Sequence, residues 1–351
     1  MLLTEKPIHL WVRAETRLNE ERVGLTPNGA KTLLNAGFHV TVERSSQRAL
    51  PIDGYTAVGC SIAAEGAWTN APDETVIFGL KELPDDGTPL RHKHIMFGHA
   101  YKGQASGKVL LKRFQAGGGT LYDLEYLVGE DGRRVAAFGY WAGYAGAAVS
   151  ILAYAAQQKG ALIGPISTFT HALKMVDYIR TKLNGTIPTV LIIGALGRVG
   201  TGAADLCAAM GLNVTKWDMA ETASGGPFPQ VLEHDVFLNC ILACDGTPIF
   251  VPELATTAPR KLRVIGDIAC DPQSAFSPIK VYKSETTWEA PVLRVHDNPP
   301  LDVMAIDNLP SLLPVESSDS FASQLLLHLA TLDQLDASVW MRAKQTFDEA
   351  L

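Results

Sequence analysis

The chain has 351 residues, and because a domain holds roughly 100 to 200 residues, this length favours two domains. Hydrophobic residues make up 47% and charged residues 19% of the chain, which excludes a disordered protein, a collagen and a coiled coil. With 30 Lys and Arg against 37 Asp and Glu, the net charge of -7 repels nucleic acids and anionic membranes, so we expect neither as a partner.

The first third of the chain alternates short apolar runs with helical patterns. Strands are predicted at 9–13, 39–43, 75–80, 95–97 and 119–122, and a helix near 28–36. Strands that alternate with helices are typical of a parallel sheet with crossover connections. This part of the chain therefore predicts the first of the two domains.

Residues 135–158 contain no charged side chain and are long enough to span a bilayer. Ala and Gly supply most of this segment, and they gain less from lipid than large apolar side chains do. Small side chains also let helices approach closely. We therefore expect a buried helix that, together with a helix at 171–183, bridges the two sets of strands.

The strand pattern restarts at residue 189. Further strands are predicted at 189–193, 214–217, 236–240 and 262–267, and two helices between residues 319 and 349. We therefore expect an α/β fold with two Rossmann-like, doubly wound parallel-sheet domains separated by a cleft. The predicted domains cover residues 1–136 and 137–317.

A glycine loop follows the predicted strand 189–193 and precedes a helical run. Gly194, Gly197 and Gly200 let the backbone approach a pyrophosphate, and the helix N-terminus offers free N–H groups. The spacing GxxGxxG differs from the commoner GxGxxG. The loop predicts a dinucleotide site, with a turn needed only for packing as the alternative.

Asp218 stands at the end of the next predicted strand, where a carboxylate binds ribose hydroxyls. A 2′-phosphate there would meet a like charge, so we expect NAD as the cofactor. Arg198 and Lys216 are nearby cations and leave NADP as the alternative.

Ionisable side chains follow several predicted strands of the first domain, where ligands gather in open α/β sheets. They are Arg13, Glu15, Arg17, Arg22, Lys81, Glu82, His99, Lys102, Asp123 and Glu125, with Arg133 and Arg134 just beyond. Arg and Lys bind carboxylates, a desolvated Lys serves as a base, and His exchanges protons with water. The set predicts a substrate site with acid-base chemistry, although each residue alone is typical of a solvated surface.

Metal sites and hydrolase motifs find no support in the sequence. Cys240 and Cys244 are four apart, but no second pair stands at ligand spacing. His92 and His94 share one face of a predicted strand that His99 does not share. We therefore expect no metal, and we interpret all five cysteines as core or near-core thiols in a reducing cytoplasm. The chain also has no Gly-x-Ser-x-Gly and no Walker loop.

Short motifs along nearly the whole chain resemble the NAD-dependent, lysine-forming saccharopine dehydrogenases of the alanine dehydrogenase and transhydrogenase superfamily. The motifs are RAET (13–16), ERVGLTP (21–27), GLKE (79–82), FGHAYK (97–102), TLYDLE (120–125), GRRVAAF (132–138), WD (217–218), IDNLPSLLP (306–314) and VWMRAK (339–344). The resemblance implies NAD-dependent cleavage of saccharopine to L-lysine and 2-oxoglutarate, the final reaction of the α-aminoadipate route of lysine biosynthesis. It also implies that helices within 318–351 complete the first domain.

The resemblance assigns roles to residues at matched positions. It implies that Lys81 is the base for the secondary amine, that His99 is the acid and base for water addition, and that Glu125 tunes their charge. Substrate carboxylates would be held by Arg22, Lys102, Arg133 and Arg134. The cofactor would be held by Gly194, Gly197, Arg198, Val199, Gly200 and Asp218, with Asp307 on the nicotinamide side.

The chain departs from this family at a few positions. The fungal enzymes have Cys where this chain has Val199, so a disulfide from the glycine loop to Cys240 is not expected. Arg17 replaces a Lys of some relatives, and the segment 158–187 is shorter. These changes leave Lys81 and His99 in place.

Three functions remain as hypotheses: the saccharopine reaction, another imine-forming amino acid dehydrogenase, and a non-catalytic NAD-binding sensor. The expected partners are small molecules, namely saccharopine, L-lysine and 2-oxoglutarate. We expect a cytoplasmic protein that is a monomer or a weak oligomer.

Overall fold

The computed structural model describes residues 7–103 and 105–351, and the chain divides into two compact units. The first unit comprises the chain up to Ala137 together with Pro314–Leu351, and the second is Phe138–Leu313. The sequence placed the boundaries at 136 and 318. The second boundary lies earlier because the helix that begins at Pro314 belongs to the first unit.

The first unit is built on a six-stranded sheet in which every neighbouring pair is parallel. Its strands are β1 (His9–Val12), β2 (His39–Glu43), β3 (Ser61–Ala63), β4 (Val76–Phe78), β5 (Lys93–Met96) and β6 (Thr120–Asp123). The order β3-β2-β1-β4-β5-β6 reverses direction between β1 and β4. Ligands of open α/β sheets bind beyond the carboxyl ends of strands at such a reversal.

The second unit has its own six-stranded sheet. Its strands are β7 (Val190–Ile193), β8 (Val214–Trp217), β9 (Val236–Asn239), β10 (Val264–Asp267), β11 (Leu293–Asp297) and β12 (Pro300–Met304). The order is β11-β12-β10-β9-β7-β8, with the reversal between β7 and β9, and only β11 runs antiparallel to its neighbour. The expected α/β fold with two doubly wound, mainly parallel sheets is confirmed.

Helices connect and cover these strands. The α-helices are α1 (Pro27–Asn35), α2 (Ile52–Val58), α3 (Ala105–Gly117), α4 (Gly139–Gln157), α5 (Ala172–Leu183), α6 (Arg198–Met210), α7 (Met219–Thr222), α8 (Pro314–Leu329) and α9 (Ser338–Ala350). Short 3-10 helices lie at Ala67–Asn70, Pro229–Glu233, Glu253–Thr256 and Leu309–Leu312.

Helix α4 is the uncharged segment of the sequence, and most of its residues are buried. It packs on α6 so closely that a Cβ at Gly143 would lie 1.8 Å from the Val199 carbonyl oxygen. A Cβ at Gly202 would likewise lie 1.9 Å from the Tyr140 oxygen. The small residues therefore serve helix packing. In the described part of the chain, no helix has the length and apolar character needed to cross a bilayer.

Helices α4 and α5 both belong to the second unit. The prediction that they bridge two sets of strands was therefore wrong. The buried face of α5, which includes Met175, Val176 and Ile179, joins the same hydrophobic core as α4. An amphipathic pattern shows that a helix is packed on one side, but it does not show which sheet covers that side.

The C-terminal helices complete the first unit. The ring of Trp340 on α9 meets Tyr122 of β6 edge-on at 5.8 Å, and Phe347 meets Phe114 at 5.5 Å. On α8, the Ser318 hydroxyl accepts a hydrogen bond of 2.9 Å from the Val23 N–H. The end of the chain is thus part of the core around the first sheet.

The cysteines are all free thiols. Cys60, Cys207 and Cys240 are buried and Cys270 is half-buried, but Cys244 is exposed. The interpretation of all five as core or near-core thiols was wrong for Cys244, because the chain leaves the sheet after β9 and Cys244 lies in the surface turn that follows.

Candidate active site

The carboxyl ends of β1 and β4 bring Arg13, Glu15 and Lys81 together at the reversal of the first sheet. The Glu15 carboxylate accepts hydrogen bonds from the N–H groups of Leu80 at 2.7 Å and Lys81 at 3.0 Å. The Arg13 guanidinium donates to the carbonyl oxygen of Lys81. The sequence placed Arg13 and Glu15 at this edge but assigned them no role. The nearest signal was the co-occurrence of the motifs RAET and GLKE.

Arg22 forms a buried pair with Glu20, in which Nε and Nη2 donate at 2.7 and 2.6 Å to the two carboxylate oxygens. Both side chains are at most 3% exposed. Burial alone would raise the pKa of Glu20, but the charges of Arg22 and Lys81 and the hydrogen bonds from Arg22 outweigh it and hold the pKa low. Lys81 is therefore electrostatically coupled to this pair.

His99 follows β5, is exposed to solvent and has a φ of 48°. This left-handed conformation is uncommon for a residue other than glycine and is found at functional sites more often than elsewhere. The preceding Gly98 makes the turn feasible, because a Cβ there would lie 2.7 Å from Leu121. The ring of His99 lies nearly parallel to Phe97, 6.4 Å away.

Glu125 forms ion pairs with Lys102, which follows β5, and with Arg134, which follows β6. Its Oε1 accepts hydrogen bonds from Lys102 Nζ at 2.8 Å and from Arg134 Nη2 at 3.1 Å. Burial acts to raise the pKa of Glu125. The hydrogen bond from Lys102 and the charges of Arg134, Lys102 and His99 outweigh burial, so the pKa lies below its ordinary value. His99 is thus close enough to interact with this carboxylate.

Asp123 lies beneath this cluster and is fully buried. Its oxygens accept from the N–H groups of Glu125 at 2.9 Å and Gly98 at 3.2 Å, and so join the loops that carry Glu125 and His99. Burial raises the pKa of Asp123 to about 6.

Arg133 is the predicted site residue that the structure does not bring into these clusters. It is 85% exposed, and its Nε lies 3.9 Å from Asp131. Its neighbour Arg134 points to Glu125 instead. Adjacent residues of an extended segment point to opposite sides, which explains why only one of the two arginines joins the cluster.

The glycine loop in the second unit has the shape of a dinucleotide turn. Gly194 adopts a φ of 86° directly after β7, and Gly197 caps the N-terminus of α6. A Cβ at Gly200 would lie 2.1 Å from the Gly194 carbonyl oxygen. These glycines keep the turn tight and let an anion approach the N-terminus of α6 closely.

Asp218 ties the end of β8 to the glycine loop. Its Oδ2 accepts from the Leu196 N–H and its Oδ1 from the Met219 N–H, both at 2.9 Å. The side chain also accepts from the Glu221 N–H in a capping box, so three of its four acceptor positions are taken and one remains for a ribose hydroxyl. Asp218 also lines a cavity of ≈ 650 Å³ with Gly194 and Gly197, a volume in the range of small-molecule sites.

The remaining predicted cofactor residues lie at different places in the second unit. Arg198 is exposed at the start of α6, whereas the Val199 side chain packs on Gly139 of α4. Asp307 is exposed after β12, and its charge contributes to the raised pKa of Cys270. Among the described residues, no three His, Cys, Asp or Glu side chains converge on a metal position.

Comparisons with known proteins cover nearly the whole chain. The family model "Alanine dehydrogenase/PNT, N-terminal domain" matches residues 11–145. The saccharopine dehydrogenase (NAD(+), L-lysine-forming) of Schizosaccharomyces pombe is 45% identical, covering 97% of each chain. That of Candida albicans is 43% identical, covering 99% of this chain and 98% of that protein.

Two solved structures share the fold. An L-alanine dehydrogenase superposes with a TM-score of 0.69 at 18% identity, covering 98% of this chain and 100% of that one. A transhydrogenase from Sinorhizobium meliloti gives a TM-score of 0.65 at 15% identity, covering 95% and 97%. By its similarity to the curated relatives over nearly its full length, the chain belongs to the family of NAD(+)-dependent, L-lysine-forming saccharopine dehydrogenases.

Proposed function

We propose that this protein is an NAD-dependent saccharopine dehydrogenase, which oxidises saccharopine to L-lysine and 2-oxoglutarate and runs as a reductive condensation in reverse. The observation that carries the proposal is the similarity to relatives of that name over nearly the whole chain. The ionisable clusters at the carboxyl ends of β1, β4, β5 and β6 supply the acid-base groups that the reaction needs.

In the proposed mechanism, Lys81 accepts the proton of the secondary amine as the C–H bond beside that nitrogen is oxidised to an imine. A neutral Lys amine can accept this proton. NAD, when bound, accepts the hydride from the substrate carbon.

His99 then acts as the acid and base for hydrolysis of the imine. Its exposed position lets it take a proton from water as oxygen adds to the imine carbon and pass that proton to the imine nitrogen, which gives the carbinolamine. It then takes the hydroxyl proton of the carbinolamine as the C=O bond forms, and passes it to the nitrogen as the C–N bond breaks. The products are 2-oxoglutarate and the amine of L-lysine. Glu125 beside His99 favours the protonated imidazolium at the stage when it holds the proton.

Lys102 and Arg134 bind substrate carboxylates in this proposal. Each already donates to Glu125, but an ammonium has three N–H donors and a guanidinium has five. Each side chain therefore has more N–H donors than its single hydrogen bond to Glu125 uses. Arg22 and Arg133 complete the proposed carboxylate set, although Arg22 must share its guanidinium with Glu20.

Gly194, Gly197, Arg198, Val199, Gly200 and Asp218 would hold NAD, with Asp307 on the nicotinamide side. The positive φ of Gly194 and the N-terminus of α6 suit a pyrophosphate, and the carboxylate of Asp218 suits an unmodified ribose.

The experiment that tests the function is the loss of NADH absorbance with 2-oxoglutarate and each of a panel of amino acids, with NADPH in parallel. Rapid oxidation with lysine and NADH supports the saccharopine reaction. Turnover only with another amine would favour the second hypothesis, an imine-forming dehydrogenase of different specificity. Silence with every pair would favour the NAD-binding sensor.

We also propose that the protein works in the cytoplasm, because its five thiols are free, as expected in a reducing compartment. Cell fractionation tests this location. The expected monomer or weak oligomer stays a prediction for sedimentation analysis.

A further inference from the structure

We propose that Glu15, braced by Arg13, is a positioning residue that fixes the backbone of Lys81 and so aims its amine at the substrate. The inference rests on the proposed role of Lys81 as the base. It concerns residues of the first unit only, and it assigns a role to two side chains that lie beside the proposed base rather than at the reacting atoms.

The backbone of Lys81 lies beyond the end of the first sheet and makes, among the described residues, no strand-to-strand ladder hydrogen bonds within it. β4 ends at Phe78, and Lys81 lies in the irregular segment that follows. The Phe97 N–H, just after β5, donates a backbone hydrogen bond of 2.9 Å to the Leu80 carbonyl oxygen, one residue before Lys81. Lys81 therefore depends on side chains for its hydrogen bonds.

Glu15 holds the N–H side of this segment. It is 8% exposed, and its two oxygens receive the consecutive N–H groups of Leu80 and Lys81. Two N–H groups on one carboxylate fix the orientation of the peptide plane between them, because each oxygen accepts along its own direction.

Arg13 holds the carbonyl side. Its Nη2 donates to the Lys81 carbonyl oxygen, and its Nη1 lies 3.4 Å from a Glu15 oxygen. The guanidinium lies over Gly79, where a Cβ would be 2.4 Å from Arg13 Cζ. Arg13 and Glu15 thus clasp both backbone polar groups of Lys81.

When the backbone of a catalytic base is fixed in this way, its side-chain amine occupies a smaller range of positions around the productive one. Lys has a flexible four-carbon stem, so a shift of its Cα is transmitted to the amine. Misplacement of a catalytic group by about 1 Å can cost about 100-fold in rate. This is why we assign positioning, rather than stability alone, to the clasp.

The test compares Glu15→Gln with a matched control, Asp235→Asn, in the full-length protein. Asp235 is also 8% exposed, accepts from the Thr189 N–H at 2.8 Å and pairs with Lys261 at 2.9 Å, but it lies in the second unit. Both changes keep the size of the side chain and remove one charged acceptor. Arg13→Lys is the second test variant, since one ammonium cannot replace both arms of the guanidinium.

We expect Glu15→Gln to lower kcat by about 10- to 100-fold, to leave the KM for NADH within about twofold, and to enlarge the solvent deuterium isotope effect on kcat. We expect no further loss when Glu15→Gln is added to Lys81→Met, because Glu15 acts through Lys81. A kcat for Glu15→Gln and Arg13→Lys equal to that of Asp235→Asn, or an undiminished loss in the Lys81→Met background, would overturn the proposal.

A measurement without turnover separates this inference from the proposed function. The amine of Lys81 is labelled with a trace of acetic anhydride and quantified by mass spectrometry, with Lys112 on α3 as the internal reference. We expect Glu15→Gln to change the labelling of Lys81 by at least about threefold and Asp235→Asn to leave it unchanged. If the parent turns over no amine, the proposed function fails, and unchanged labelling of Lys81 would independently overturn the positioning role.

Discussion

Glu20 receives the guanidinium of Arg22 through two hydrogen bonds of 2.7 and 2.6 Å, in a position where neither side chain reaches solvent. An ion pair in such a place costs free energy to desolvate, and the remaining partner is costly when one is removed. The nearby charge of Lys81 also lowers the pKa of Glu20, so the pair is electrostatically coupled to the Lys81 amine.

Glu20→Ala should lower the free energy of unfolding by about 3 to 5 kcal/mol, because it leaves Arg22 buried without its carboxylate. The pKa of Glu20 is lowered on folding, so its stabilising effect is present above the unfolded value and is lost as the pH falls through the folded one. Urea unfolding at pH 7 and at pH 3 measures this, and the gap between variant and parent should narrow in acid. Asp348→Ala, which breaks the exposed pair with Lys344, is the control and should cost less than about 1 kcal/mol.

Lys81→Met should lower turnover by at least about 100-fold, because it removes the proposed general base. In the parent, oxidation of saccharopine should slow as the pH falls and the amine becomes protonated. Lys112→Met, at an exposed position of α3, is the control and should keep parental kinetics. Unchanged turnover in Lys81→Met, or a flat pH profile in parent and variant alike, would refute the acid-base assignment.

Asp218→Asn should raise the KM for NADH about tenfold, which corresponds to about 1.4 kcal/mol of binding. The KM for lysine should stay within twofold, and the preference for NADH over NADPH should shrink because a negative charge is removed. Asp177→Asn on the exposed face of α5 serves as control. Equal NADH constants in both variants would remove Asp218 from the cofactor site.

The two later glycines of the loop should respond differently to alanine. In Gly200→Ala the new Cβ meets a backbone oxygen at 2.1 Å, so we expect a loss of about 2 to 3 kcal/mol in stability. In Gly197→Ala the nearest atom is 3.5 Å away, so stability should change by less than about 1 kcal/mol. Its Cβ would instead stand at the N-terminus of α6 and weaken NADH binding. Thermal unfolding and NADH titration measure both effects; a folded Gly200→Ala protein with parental stability would contradict the model of the turn.

His94 should make the protein sensitive to mild acid. Burial, together with the charges of Arg13, His92 and Arg113, lowers its pKa well below the ordinary value. The unfolded chain therefore binds a proton that the folded chain does not, and stability falls as the pH drops below about 6.5, by up to about 1.4 kcal/mol per pH unit. Denaturant midpoints at pH 7, 6 and 5 should decline less steeply in His94→Phe than in the parent. His171→Gln, at an exposed position, should follow the parent; parallel declines in all three would exclude His94 as the cause.

The sequence predicted the buried parallel strands because their apolar runs are continuous, as in β7 and β9, where every residue is buried. It missed β3, which has three residues and none buried. It also missed β11 and β12, whose runs are broken by Arg294, His296 and Asp302. Asp302 is buried against Arg294, and that compensation is visible only once the two strands pair.

The candidate site residues that lie just beyond strand ends could be predicted from the sequence, since a strand end is a local feature. Lys81, His99 and Asp218 are of this kind, within three residues of β4, β5 and β8. The hydrogen bonds from the Leu80 and Lys81 N–H groups to Glu15, in contrast, form only because β1 and β4 are neighbours in the sheet, although they are far apart in the sequence. The left-handed backbone of His99 is equally a product of the folded turn.

The return of α8 and α9 to the first sheet has a consequence during synthesis. Domains generally fold as units while the ribosome delivers the chain from its N-terminus. The second unit is continuous from Phe138 to Leu313 and can fold as soon as it emerges. The first unit emerges earlier but lacks the rings of Trp340 and Phe347 until translation has passed those two positions. The nascent protein therefore completes the unit that carries the glycine loop before the unit that carries Lys81.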